Sequence, residues 1–256
     1  MNDRVVGSDR VLAVLLELAE HPGGITLDDL AQRVDGSKPT VHRALATLRK
    51  AGLAGQSARG VYELGDEFLR LAYRYQDARP ETARIEPLLR ELATEFGETA
   101  HYGILDGSGV VYRAKVDPPI GAIRLTSTIG GRNPAYCTAI GKLLLSYSIH
   151  SLSALESWLG DAELPARTPN TLTTPGLLFD DIEASGLRGY GLDDQENEVG
   201  VNCIALPLFL EPGRPVSGAV SVSGLVYRRS LASLVSSVDI MRGIVEAHLG
   251  VGSTRG

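Results

Sequence analysis

Apolar residues Val11, Leu12, Leu15, Leu16, Leu18 and Ala19 recur at helical spacing and predict an amphipathic helix from Ser8 to Glu20, stopped by His21-Pro22-Gly23-Gly24. A second, shorter helix is predicted from Leu27 to Val34. Thr26 precedes it as an N-cap, and Asp28 and Asp29 in its first turn suit the partial positive charge of a helix N-terminus. Asp35-Gly36 reads as a turn. Ser37 then caps a third helix with Pro39 in its first turn, where a missing N–H costs nothing, and this helix runs to Ala51 before Gly52 stops it. Val41, Ala44, Leu45 and Leu48 fall on one face of it and are expected in a core. Pro39, Arg43, Ala46 and Lys50 fall opposite, with His42 and Arg49 on one flank and Thr40 and Thr47 on the other. After Gly52 the pattern changes to strand, a basic turn at Ser57-Ala58-Arg59-Gly60, and strand again from Val61 to Leu64.

Two short helices joined by a tight glycine-containing turn form a helix-turn-helix, whose second helix enters the major groove, and the hairpin behind it reads as a wing. Gly65 to Ala78 is a helical connector, and Pro80 marks its end. Ile85, Leu88, Leu89, Leu92 and Phe96 predict another helix, followed by strands Thr99 to Leu105 and Val110 to Val116 around Asp106-Gly107-Ser108-Gly109. A strand is expected from Ala122 to Thr128, a helix near Cys137-Thr138, and further helices from Ser151 to Leu159 and Leu177 to Ser185. Thr168 to Thr174 is a polar connector. Val201 to Leu210 and Val216 to Leu225 read as paired strands, and a helix from Ser230 to Leu249 closes the chain. Hairpin-joined strands between helices imply an α+β domain on an antiparallel sheet. The expected organisation is a winged helix-turn-helix over 1–65, a linker helix over 66–79, a larger domain over 80–250 and a short tail over 251–256.

Charge sharpens this picture. The net charge of −6 is unevenly distributed. Between Arg33 and Arg59 stand Arg33, Lys38, Arg43, Arg49, Lys50 and Arg59 against Asp35 alone, a patch that attracts phosphate, while the acidic remainder discourages binding elsewhere. Such a run is also what a solvated helix face looks like. The residues expected to touch double-stranded DNA are Ser37, Lys38, Pro39, Thr40, His42, Arg43, Arg49 and Arg59. Arg43 has the fork for guanine, and Ser37 with the helix N-terminus can hold a phosphate. Arg59 is placed for the minor groove or a flanking phosphate, or is plain surface charge.

Composition excludes several classes. At 256 residues, 43% hydrophobic and 22% charged, the chain suits about two globular domains. Its apolar runs fall short of the roughly 20 residues of a spanning helix, and its mixed-charge start is no secretory signal, so a cytoplasmic location is expected. Cys137 and Cys203 are too few for a disulfide framework, and with His101 they lack close metal-ligand spacing. No dinucleotide, Walker, zinc-protease or nucleophile-elbow motif occurs, so no metal or cofactor is expected. The rival reading is an enzyme with Cys137, Cys203 or Ser221 as nucleophile and a histidine as base.

The segments SKPTVHRALATLRKAGL, VYELG, PAYCTAIGKLLL, TPNTLTTP, GYGLDDQENEVGVNCIALPL and SVSG occur in this order, and together they make the chain resemble the IclR family of bacterial transcription regulators over nearly its whole length. The resemblance implies a winged helix-turn-helix plus a GAF-like effector domain, homodimers or dimers of dimers, palindromic operators, and a small organic acid as effector. It implies a repressor of a catabolic or metabolic operon. Carried over by motif, the effector contacts fall on Ala139, Ile140, Asp193, Val201, Cys203, Ser221 and Ser223, with Leu125 and Asn133 added and Asp194 as the alternative to Asp193.

The residues themselves agree with such a site. Ser221 and Ser223 are two apart on a strand and share a face, as do Val201 and Cys203 on the next. A helix starting near Cys137-Thr138 aims unpaired N–H groups at a carboxylate, and Asp193 accepts a hydrogen bond from a ligand hydroxyl, amine or amide. The plain alternative is a small buried thiol and satisfied serine hydroxyls.

Overall fold

The structure is a computed structural model, and it describes residues 7–77, 80–118, 125–211 and 213–250. It divides into two compact units, Met1–Pro80 and Glu81–Gly256.

The first unit contains α1 (Gly7–Ala19), β1 (Ile25–Thr26), α2 (Leu27–Arg33), α3 (Lys38–Lys50), β2 (Ala54–Ala58), β3 (Val61–Leu64) and α4 (Asp66–Asp77). Val14 and Leu18 of α1, Leu30 of α2, and Val41, Leu45 and Leu48 of α3 bury together with Ile25 and Tyr62, so the predicted face of the third helix is its core face. Thr26 caps α2, its Oγ1 accepting from the Asp29 N–H at 3.2 Å. Ser37 stands at the N-cap position of α3 but makes no capping hydrogen bond; its hydroxyl pairs with Thr40 Oγ1 at 2.8 Å instead. β1, too short to show a period, adds a third strand to the hairpin in the order β1-β3-β2. β2 runs on to Ala58 through an irregularity after Gln56, which leaves Arg59 and Gly60 as the wing tip.

The second unit contains α5 (Pro80–Phe96), β4 (Thr99–Asp106), β5 (Gly109–Val116), β6 (Arg132–Pro134), a 3₁₀ turn (Ala135–Cys137), α6 (Ala139–Leu145), α7 (Leu152–Leu159), α8 (Pro175–Arg188), β7 (Gly191–Asp194), β8 (Val201–Leu208), β9 (Gly218–Leu225), α9 (Leu231–Ser236) and α10 (Val238–Leu249). Its strands form one antiparallel sheet in the order β6-β5-β4-β9-β8-β7. Strand alternation splits the sheet into two chemically different faces. Ala100, Tyr102, Ile204, Leu206, Val220 and Val222 bury against Leu88, Leu89 and Leu92 of α5 and Met241 and Val245 of α10. Ala205 and Ala219 lie on the other face with Ala139, Ile140 and Leu143 of α6, and beside them this face carries His101, Cys203, Ser221 and Ser223.

Three expectations need correction. Leu125 to Thr128 forms no strand, and 119–124 lie outside the described residues; the Leu125 carbonyl accepts from Lys115 Nζ at 2.9 Å rather than from a neighbouring strand. The last helix is two helices divided at Ser237, whose hydroxyl donates to the Ser233 carbonyl at 3.0 Å, the local competition that serine offers a helix. The helix expected from Leu177 to Ser185 begins at Pro175 behind a Thr174 cap and ends at Arg188 before left-handed Gly189.

Candidate functional site

α3 presents the outward face expected of it. Arg10 of α1 donates to the carbonyls of Val34 and, at 3.0 Å, of Asp35, which fixes the turn leading into α3. Pro39, His42, Arg43, Arg49 and Lys50 are exposed and Thr40 is half-exposed. Arg43 Nε donates to the Pro39 carbonyl at 3.3 Å. Among the described residues no carboxylate pairs with Arg43, Arg49, Lys50 or Arg59, so intramolecular pairing does not account for them. Two other cations of the patch are engaged: Lys38 with Asp28 at 2.8 Å and Arg33 with Glu17 at 3.4 Å. Both Lys38 and Asp28 are well exposed, and an exposed pair is worth only about 0–1 kcal/mol, so it yields readily to a phosphate.

In the second unit a cavity of about 410 Å³ opens between the polar face of the sheet and the start of α6. Two glycines let α6 lie that close. A Cβ on Gly191 would stand 2.1 Å from the Ala139 carbonyl oxygen, and one on Gly103 would stand 2.9 Å from Val110 and 3.2 Å from Ile140. Thr138 caps the helix, its Oγ1 accepting from the Gly141 N–H at 3.1 Å. The N–H groups of the first turn have no intrahelical partner, and Ala139 and Ile140 both line the cavity.

All nine positions expected to contact an effector, Leu125, Asn133, Ala139, Ile140, Asp193, Val201, Cys203, Ser221 and Ser223, line this one cavity. The strand register makes most of this meeting unavoidable: Asp193 faces Cys203, Cys203 faces Ser223, and Ser221 faces His101. Asp194, one residue on, is exposed and does not line it, which separates the two aspartates. The structure adds His101, Tyr112, Thr138, Arg167, Asn197 and Glu198 to the wall. Of these, Tyr112 and His101 were legible as inward strand positions. Arg167 was not, because a loop crossing places it there, its Nε donating to the Asn197 carbonyl at 3.2 Å.

The wall is electrically unusual. Asp193 is 3% exposed, and burial pushes its carboxyl up to about 7 against the two backbone N–H groups, of Glu196 at 2.7 Å and Asn197 at 3.4 Å, that Oδ1 accepts. These bonds tie Asp193 to its own turn as well as to the cavity. His101 is held down to about 3 by burial and by the nearby Lys115 ammonium, so it is neutral at ordinary pH. Its Nε2 lies 2.8 Å from Ser127 Oγ, and its Nδ1 3.5 Å from Ser223 Oγ. Burial raises both thiols, Cys137 to about 12 and Cys203 well above its ordinary value, with the Asp193 carboxylate adding to each. A nucleophilic cysteine needs the opposite, a thiolate stabilised by nearby positive charge. Among the described residues no cluster of histidine, cysteine and carboxylate side chains is arranged to hold a metal ion, and no helix is long and apolar enough to cross a membrane.

A helical unit with a basic exposed helix and a three-stranded wing, together with a separate unit whose antiparallel sheet walls a polar cavity, defines a DNA-binding regulator with a small-molecule domain. Residues 8–58 match the IclR helix-turn-helix domain, and residues 77–247 match the family described as bacterial transcriptional regulator IclR C-terminal. The chain is 35% identical over 240 residues to the HTH-type transcriptional regulator BhcR of Paracoccus denitrificans, covering 93% of this chain and 83% of that one. It is 33% identical over 240 residues to the HTH-type transcriptional regulator KdgR of Escherichia coli, covering 93% and 89%. Among solved structures, the IclR of Thermotoga maritima superposes with a TM-score of 0.74 at 26% identity, covering 95% of this chain and 98% of that one. The protein belongs to the IclR family of bacterial transcription regulators.

Proposed function

We propose that this regulator is a cytoplasmic, non-catalytic repressor that reads a palindromic operator through α3 and answers to a small organic acid held in the cavity beside α6. Ser37, Lys38, Pro39, Thr40, His42, Arg43 and Arg49 meet the major groove and its phosphates, and Arg59 at the wing tip meets the flanking backbone. The working domains are 1–65 for DNA, 66–79 as connector and 80–250 for effector. A palindrome requires a second copy of the chain, as a homodimer or a dimer of dimers. Leu12 and Leu16 of α1 and Phe68, Leu69, Leu71 and Tyr73 of α4, all left exposed, support that pairing.

The observation that carries the effector reading is the meeting of nine expected positions, spread from Leu125 to Ser223, in one cavity with both a helix start and a buried carboxyl. The N–H groups at Ala139 and Ile140 suit a carboxylate; Asp193, Ser221 and Ser223 suit hydroxyl or amide groups elsewhere on the same molecule. The raised thiols and the weakened basicity of His101 speak against nucleophilic catalysis there.

A screen of small organic acids against their matched primary amides tests this, with melting temperature and operator affinity as readouts. At least one acid is expected to raise the melting temperature and change operator affinity where its amide does not. Ser221→Ala and Asp193→Asn are expected to blunt that response and leave basal DNA affinity intact. Amides acting as well as acids, or both variants answering like the parent, would contradict the assignment.

A further inference from the structure

Lys142 stands alone among apolar residues in the run Ala139–Leu145, every residue of which is buried. Its side chain is 1% exposed, and an ammonium does not stay in such a place without partners. Its Nζ donates to Glu196 Oε1 and lies 2.7 Å from Asp181 Oδ2, so one α6 side chain joins the turn after β7 to α8. Asp181 is paired in turn with Arg188 at 3.4 Å, which brings the cluster to two cations and two carboxylates.

The position of Glu196 gives the cluster its meaning. Glu196 lies three residues after Asp193 and immediately before Asn197 and Glu198, which wall the cavity. Its backbone is held from both sides: the N–H donates to Asp193 Oδ1 at 2.7 Å, and the carbonyl accepts from Thr171 Oγ1 at 2.6 Å and Thr168 Oγ1 at 3.3 Å. Lys142 is the attachment that reaches this turn from α6, the helix whose first residues form the facing wall. Buried ion pairs add little net stability over an apolar replacement, because desolvation offsets their attraction, so position is the better explanation for this one.

We propose that Lys142 is a positioning residue of the cavity: its buried bridge to Glu196 and Asp181 holds the Asn197–Glu198 wall at a fixed distance from the start of α6. The link between this bridge and effector response rests on the cavity being the effector site. The bridge itself does not.

The test therefore uses the full-length protein without any effector. Lys142→Met alone would leave the buried Glu196 carboxylate unpaired and Asp181 with Arg188 alone, and is expected to destabilise the fold broadly. The informative variant is Lys142→Met/Asp181→Asn/Glu196→Gln, which removes the charges and keeps the side-chain sizes close. Hydrogen exchange should show amide protection in β4, β8 and β9 unchanged, while amides over 196–200 exchange roughly tenfold faster or more. Cys203, which lines the cavity, should react faster with iodoacetamide in the same variant. Parent-like exchange over 196–200 in a folded triple variant would overturn the proposal. So would an equal loss of protection throughout the sheet, which would make the bridge a general stabiliser. A cavity that ignores every organic acid would overturn the effector reading and leave the exchange result standing.

Discussion

Asp193 and His101 line the same cavity with opposite proton preferences. Asp193 binds its proton more tightly in the folded chain, near 7 against an ordinary 3.8, so the folded state holds more protons than the unfolded across that range and stability falls as pH rises through it. His101 titrates near 3 rather than 6.5, so the unfolded chain holds more protons there and stability rises with pH up to about 6.5. Between about pH 4 and 6.5 the two slopes oppose each other, each worth on the order of a few kcal/mol. Urea denaturation across that window is expected to show a steeper rise with pH in Asp193→Asn than in the parent, and a fall with pH in His101→Gln. Asn keeps an oxygen for the Glu196 N–H, so its turn is preserved. Parallel profiles in all three proteins would show that neither group is held as the geometry implies. Ser221, Ser223 and Cys203 were legible at this scale because strand alternation alone puts them on one face. Lys142 was legible only as an anomaly, a lone charge in an apolar helical run, and its partners depend on a turn and a helix far along the chain.

At the scale of elements, the seat of α6 on the sheet decides whether there is a cavity at all. Gly191→Ala drives a methyl group into the Ala139 carbonyl, so α6 must lift or β7 must move. We expect a loss of about 1–3 kcal/mol in urea denaturation, the usual cost of overpacking. Gly176→Ala in α8 is the control: nothing lies within 4 Å of its Cβ, so it should be neutral or slightly stabilising. Equal effects would mean that close approach is not what Gly191 provides. Elements with caps or long periods were readable in advance, such as α2 behind Thr26 and α5 with its four buried leucine and isoleucine positions. β1 and β6, of two and three residues, and β7, Gly191–Asp194 with two aspartates, were not, because they carry no apolar alternation of their own and exist through their neighbours. Of the strand expected over 122–128 only Leu125 to Thr128 lies among the described residues, and there the carbonyls of Leu125 and Ser127 accept from Lys115 rather than from a neighbouring strand.

At the scale of the whole molecule, the two units divide the chemistry. One carries unpaired cations on an exposed helix and wing; the other carries a cavity in whose wall Asp193, His101, Ser221 and Ser223 are buried. An effector can change operator affinity only by its differential binding to two arrangements of the chain, typically about 1–3 kcal/mol. That regulatory layer presupposes sequence-specific contact through α3. The most direct measurement is the affinity of the full-length protein for a duplex selected from genomic DNA and for a scrambled duplex, at fixed moderate salt, in parent and Arg43→Ala. The parent should prefer the selected duplex, and Arg43→Ala should lose about 1–3 kcal/mol of that preference while binding the scrambled duplex much as before. A folded parent that binds both duplexes alike, or an Arg43→Ala protein with its preference intact, would contradict the account.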